Sequence, residues 1–512
     1  MRADLEELLS LLSSSHPDPY RGAGGAVAFH RLAGEVAGSL PREASLDEFL
    51  RLLRPLVAAV RDGHTTIGTA PGHAPAAAAH PWLDWDVAGE DLYLCRVYEE
   101  SQRTLLGFRL LAVDGVPLAE LKARMAALHG CDNGMDVMRR LAEAFRQEQD
   151  LLALLARNDA AKSSSFELAG PDGVHSTIEM RWTDAPAGPP IAPPSRLSPP
   201  PLGISQLGWG FLDAEHTVAC LRVGELMSYR EAFEVWRHSG FTAALEERLR
   251  ALLPNASQEE DVERLIAKVP SATGILREPF AAMRQGGARA LVVDLRDAIG
   301  GNSALAYILG CFLFGEEEMA LAEEGYQIRR YSPLYLENYG VLPEGADLSN
   351  GGYDFREEQA FQDRRAAGMT REMRAQALVA AEEYAKTMPS FEAARADLSA
   401  GPVPRLAVVT SAFTYSAGFD VAAMLARRGA LHVGVPSAQA GNCFIDILRF
   451  RLSRSGLVGT ISFKESFLFP DDPAAGHLLR PQRELTYELL ATQDFDPHAG
   501  LRLALEALSV EK

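Results

Sequence analysis

Two stretches of this chain repeat one pattern, and that pattern limits the fold more than any other feature. Ala290 to Leu295 is a continuous apolar run apart from Asp294, followed by the loop Arg296 to Asn302 with paired Gly300 and Gly301, and then a helical stretch from Ser303 to about Phe314. Leu406 to Val409 is a second buried-type strand. Thr410 to Tyr415 forms its loop, and Ser416 opens a helix that runs to Arg428 and stops at Gly429. Buried strands alternating with helices predict an α/β core. Between the two units, Arg356 to about Leu398 is charged and helical, which marks it as an insertion. After Gly434, Leu448, Phe450 and Leu452 alternate with Arg449 and Arg451, Ser455-Gly456 turns the chain, and Leu457 to Phe463 returns as an antiparallel hairpin.

The rest of the chain divides by composition. The first 80 residues are mostly helical by pattern: Leu5, Leu8, Leu9, Leu11 and Leu12 recur at helical spacing. Ser45 and Glu48 form a capping box before Phe49, Leu52, Leu53 and Leu56, and Gly63 is expected as the left-handed residue that ends this helix. His64 is therefore delivered at a fixed helix exit. From Pro81 to about residue 185 short β-prone runs, Asp91 to Tyr98 and Phe108 to Val113, precede the turn Asp114-Gly115 and a helical stretch from Leu118 to about Arg157. Residues 186–202 hold eight prolines, a semi-rigid linker by composition or, alternatively, a ligand for a proline-recognition module. Residues 203–512 carry the α/β core, with the insertion at about 353–400.

With 50 Lys+Arg against 69 Asp+Glu the formal net charge is −19, which disfavours a nucleic-acid partner. The five cysteines are scattered and never form C-x-x-C, so neither a disulfide framework nor a zinc knuckle is signalled. No apolar stretch is long enough for a membrane span, and no secretory h-region follows Arg2, so a cytoplasmic location is expected. The chain has no H-E-x-x-H, and the pair His73 and His80 lies in a Pro/Ala-rich stretch. No metal and no cofactor are assigned.

Ser416 sits where unpaired N–H groups at a helix N-terminus favour developing negative charge, a placement that suits a nucleophile and equally an ordinary N-cap serine. Gly300 and Gly301 let backbone N–H groups approach an anion closely, or simply satisfy a turn with positive φ. Neither phosphate-loop spacing is present. A nucleophile and backbone donors together are what acyl transfer needs.

In order along the chain, these pieces resemble the S41 serine peptidases, which include the C-terminal processing proteases and the tricorn core peptidases. ALVVDLRDAIGGN, residues 290–302, resembles the strand ending in D-L-R-x-N-x-G-G, and TYSA, residues 414–417, resembles the T-x-S-[AS] nucleophile turn. His432 to Gly441, Ile461 to Lys464 and Leu479 to Asp496 are similar to later segments of that family. DGHT at Asp62 to Thr65 resembles the motif of its His-containing members, and Gly107 to Leu121 resembles part of a PDZ-like unit. The resemblance implies a ClpP/crotonase-like α/β core with an N-terminal helical domain and a degenerate PDZ-like unit. It implies Ser416 as nucleophile, an oxyanion hole from backbone N–H groups of Gly300, Gly301 and Ala417, and a peptide or protein substrate.

The lysine base of the processing proteases is replaced here by Ala440, so His64 is the expected base, with Lys464 the lesser alternative. The tricorn-type glutamate falls on Ala475, which leaves Asp471, Asp472 or Glu465 as substitutes for an orienting residue, or none. Ala298, Val435 and Gln482 also depart from the family's pattern. The expected activity is a serine peptidase. The competing readings are a peptide-binding pseudopeptidase of the same fold and a crotonase-like acyl-CoA enzyme, the latter without a basic cluster for the CoA phosphates.

Overall fold

The structure, a computed structural model, describes residues 1–70, 79–157, 163–240, 242–322, 325–395, 398 and 404–510. His73 and parts of the 353–400 insertion lie outside the described residues. At its centre is a six-stranded sheet in the order Arg483–Glu484, Leu431–Gly434, Arg405–Thr410, Ala290–Asp294, Val218–Val223, Leu207–Phe211. All neighbours are parallel except the last pair. A parallel sheet needs cover on both faces, which is why its strands read as unbroken apolar runs. Leu291, Val293, Leu406 and Val408 pack against the crossover helices Ala272–Gly286, Ala304–Phe314 and Ala417–Arg427. Ala290, Val292, Ala407 and Val409 face the other way, onto Leu501, Ala504 and Leu508 of the closing helix Ala499–Val510.

A second sheet, Leu83–Ala88, Asp91–Val97, Arg109–Val113, Ser163–Ala169 and His175–Arg181, is antiparallel. The proline-rich segment is held to it, since Ile191 and Val97 exchange backbone hydrogen bonds of 2.8 and 3.0 Å. The stretch from Leu118 is not one helix but three, Leu118–Leu128, Gly134–Ala144 and Glu148–Leu154. Asn133 caps the second by accepting the N–H groups of Met135 and Asp136. The break places Asp132 in a connecting turn.

The expected hairpin forms as Asn442–Arg451 and Val458–Phe467, with Phe450 and Leu448 among the residues buried against the N-terminal helices Arg2–Ser15, Ala26–Ser39 and Leu46–Ala58. The Ser45–Glu48 capping box is complete. Gly63 corrects the sequence reading. The left-handed residue after this helix is Arg61, with φ 56°, and Gly63 is absent from the positive-φ residues. A glycine is required there for space: a Cβ would lie 2.1 Å from the Tyr415 hydroxyl and 2.8 Å from Asp136 Oδ2. Among the described residues no helix is long and apolar enough to cross a membrane.

Candidate active site

Two loops leave the C-terminal ends of adjacent parallel strands, Arg296 to Asn302 after one and Ser411 to Ser416 after the next, the end of an open α/β sheet at which ligands bind. They are bonded to each other. Tyr415 N–H donates to Ala298 O at 2.9 Å, Thr414 Oγ1 donates to Leu295 O and Ser411 Oγ to Arg296 O. Gly418 permits this approach, since a Cβ there would sit 2.2 Å from Ala298 O. Asp294 and Arg296 form a two-point ion pair that also reaches Pro497 O, so the charged residues of the D-L-R segment fasten the loop to the C-terminal segment.

Ser416 has φ 50° and ψ −127°, a conformation that costs a non-glycine residue roughly 1–3 kcal/mol and persists only where the surroundings impose it. Gln439 helps impose it, as its Oε1 accepts the Ser416 N–H at 2.6 Å, and Ser437 Oγ donates to Thr414 O beside it. The Ser416 side chain makes no capping hydrogen bond, which removes the ordinary N-cap explanation. A sharp strand-to-helix turn of this kind lifts a serine hydroxyl out of the backbone.

Gly300 lies directly against the serine: a Cβ on it would be 2.6 Å from Ser416 Cβ and 3.3 Å from its Oγ. Gly300 and Gly301 have φ of 113° and 141°. Gly301 packs on Leu226, and among the described residues the N–H groups of Gly300, Gly301 and Ala417 donate to no acceptor. Open backbone donors beside a hydroxyl at a helix N-terminus form a site able to hold an oxyanion.

His64 is brought to the same place from 351 positions earlier in the chain, but to Tyr415 and not to Ser416 itself. Its ring lies 4.9 Å from the Tyr415 ring at 31°, with Nδ1 3.4 Å from the Tyr415 hydroxyl. Among the described residues His64 Nε2 is buried with no hydrogen-bond partner, so no hydrogen bond joins it to Ser416. Burial lowers the His64 pKa, against the opposing charges of Asp62, Asp446 and Asp136.

The backbone around His64 is fixed on all sides. Asp62 accepts the His64 N–H at 2.8 Å, the Thr65 hydroxyl at 2.5 Å and His16 Nε2 at 3.2 Å. Burial pushes the Asp62 carboxyl up, but His16 above all, with His64 and Ser462, outweighs it and holds it below the ordinary range. Asp132 accepts Gly63 N–H at 2.8 Å, Arg140 donates to Gly63 O at 2.9 Å and Thr460 Oγ1 donates to His64 O at 2.6 Å.

None of the three carboxylates considered as orienting groups is bonded to His64. Glu465 pairs with Arg21, Asp471 with Arg365, and Asp472 caps the helix Pro473–His477. Lys464 pairs with Asp446, whose charge faces His64. Asp420, one turn into the helix that follows Ser416, accepts the Ser303 hydroxyl at 2.5 Å, and burial raises its pKa to about 6. Tyr415, Asp132 and Gln439 are absent from the residues singled out by sequence. The only local signal for Asp132 was the breaker cluster Gly130, Asp132, Asn133, Gly134 inside an otherwise helical pattern. Asp62, His64 and Asp132 bring one ligand atom each within 4.8 Å of one another, but the Tyr415 hydroxyl lies within hydrogen-bonding distance of two of them.

No protein-family profile and no curated protein sequence matches the chain. Among solved structures, mature CPAF aligns over 98% of this chain and 97% of its own, at 12% identity and a TM-score of 0.55. Mature CPAF complexed with lactacystin aligns over 98% of each chain with a TM-score of 0.53. The photosystem II D1 C-terminal processing protease aligns over 99% and 97% at 11% identity, with a TM-score of 0.39. The likeness to CPAF shows a mixed α/β fold of the same kind. The chain shares that fold with CPAF along nearly its whole length.

Proposed function

We propose that this protein is a serine peptidase acting on peptides or unfolded protein segments. The observation that carries the reading is the strained Ser416 turn, with an uncapped hydroxyl pressed against Gly300 and backbone N–H groups on either side that are unpaired among the described residues. In the proposed reaction Ser416 Oγ attacks the scissile carbonyl while its proton passes to His64 Nε2. The oxyanion is held by the N–H groups of Gly300 and Ala417, with Gly301 available. Collapse breaks the C–N bond, the amine leaves with the proton from His64, and water hydrolyses the acyl-enzyme by the same route.

Labelling by a fluorophosphonate probe tests this in the parent, Ser416→Ala and His64→Ala. The parent should label, Ser416→Ala not at all, and His64→Ala about a hundredfold to ten-thousandfold more slowly. Labelling that survives loss of Ser416 removes the nucleophile assignment. A parent that binds peptides without labelling or turnover is the outcome expected of a pseudopeptidase.

A further inference from the structure

We propose that Tyr415 and Asp132 are the positioning residues of this site, a relay that fixes which nitrogen of His64 carries the proton. The inference rests on the reading of His64 as base, and it fills the role for which the sequence offers no glutamate. Asp62 does not fill it: its Oδ1 is 3.8 Å from His64 Nδ1 and already accepts the His64 backbone N–H.

With Asp132 as the carboxylate, the direction of each hydrogen bond follows from counting protons. The Tyr415 hydroxyl has one, and it donates to Asp132 Oδ2 at 3.2 Å. Toward His64 Nδ1, 3.4 Å away, the same oxygen acts as acceptor. Nδ1 then carries the imidazole proton and Nε2 keeps its lone pair. Nε2 is the nitrogen left buried without a partner among the described residues, the state a base needs before a substrate-bound serine turns toward it. The Tyr415 ring is held in turn by Arg139, whose guanidinium lies 5.1 Å over it.

Asp132 sets the polarity of the relay. Its Oδ1 is committed to Gly63 N–H, so Oδ2 alone faces tyrosine. Burial and the carboxylates Asp136 and Asp62 push its pKa upward, against the pull of Gly63 N–H and the Tyr415 hydroxyl. Protonation on Oδ2 reverses both hydrogen bonds and moves the imidazole proton to Nε2, where it blocks general-base action. The acid limb of activity therefore belongs to His64 and Asp132 as a pair, in the field of Asp62, Asp136, Asp446 and Arg140, with Lys464 acting on Asp446.

Two substitutions separate this from a packing role. Tyr415→Phe removes only the hydroxyl and keeps the ring, and should slow fluorophosphonate labelling about 10- to 100-fold. Asp132→Asn keeps the shape, but Gly63 N–H holds the amide oxygen, so the NH2 must point at the tyrosine and invert the relay. It should be the worse of the two, approaching the roughly 10⁴-fold loss known for a wrong histidine tautomer. Labelling rates from pH 5 to 9 and the 15N shifts of His64, assigned by difference against His64→Gln, give the readout. The expected parent has Nδ1 protonated and Nε2 bare, and Asp132→Asn has the reverse. Both variants labelling within about twofold of the parent at every pH, or a parent with Nδ1 bare at neutral pH, overturns the relay. A parent that fails to label through Ser416 overturns the peptidase reading, and the 15N shifts then decide the relay by themselves.

Discussion

Gly63 has no side chain because the Tyr415 hydroxyl needs the space. Gly63→Ala should therefore act on the site more than on the fold. Overpacking of this size costs about 1–3 kcal/mol, and it displaces the hydroxyl that faces His64. The expected result is a small fall in thermal midpoint with a large fall in Ser416-dependent labelling. Adding Tyr415→Phe should return part of the lost stability without restoring the rate, and no return of stability would dissociate the two residues. At this scale the sequence was readable where chemistry is local. Ser416 and Gly300-Gly301 stand in patterns only a few residues long, and the structure places Gly300 on Ser416. Tyr415 passed as an unspecified position in T-x-S. Gly63 was assigned to a backbone conformation that Arg61 adopts instead. Its actual reason, a side chain 352 positions away, leaves no trace in local pattern.

At the level of elements, strands and helices of the core fall where the apolar runs put them, because a parallel strand buried on both faces tolerates little else. The misread element was the helical stretch after Leu118. Its apolar periodicity continued across the turn at Asp132, and the turn residues there were outweighed. The strand Leu431–Gly434 carries a separate consequence. His432 is buried, its Nε2–H donates to Thr410 Oγ1 at 2.8 Å, and its Nδ1 has no partner among the described residues. Burial lowers its pKa from 6.5 to about 4. The unfolded chain then binds this proton between those values while the folded chain does not, so stability is full above about pH 6.5 and is lost as pH falls toward 4. The loss is of order 3 kcal/mol. Thermal melts from pH 7 to 4.5 should show a shallower acid slope in His432→Gln than in the parent, and equal slopes would remove His432 as the source.

Over the whole molecule, the proposed site draws on every part of the chain. His64 comes from the N-terminal helices, Asp132 from the helices beside the antiparallel sheet, Thr460 from the hairpin and Ser416 from the parallel core. His16 ties the first helix to this assembly through Asp62, with both side chains fully buried. Leaving a buried hydrogen-bonding group unsatisfied costs about 1–3 kcal/mol, so His16→Ala should lower the thermal midpoint and reduce labelling with it. Retained labelling at temperatures where the variant is folded would show that His64 is held without this tie. The order of motifs made the global fold legible at 12% identity to CPAF, because the pattern of strands, turns and glycines outlasts residue identity. The −19 charge added nothing to that, since net charge speaks to solubility and association and not to fold. The sequence separation of 351 between His64 and Tyr415 also sets a clock on biosynthesis. At about 5–20 residues per second, roughly 20 to 70 seconds pass between translation of the proposed base His64 and of Tyr415. A nascent chain thus holds only half of the proposed machinery until Tyr415 and Ser416 have been made.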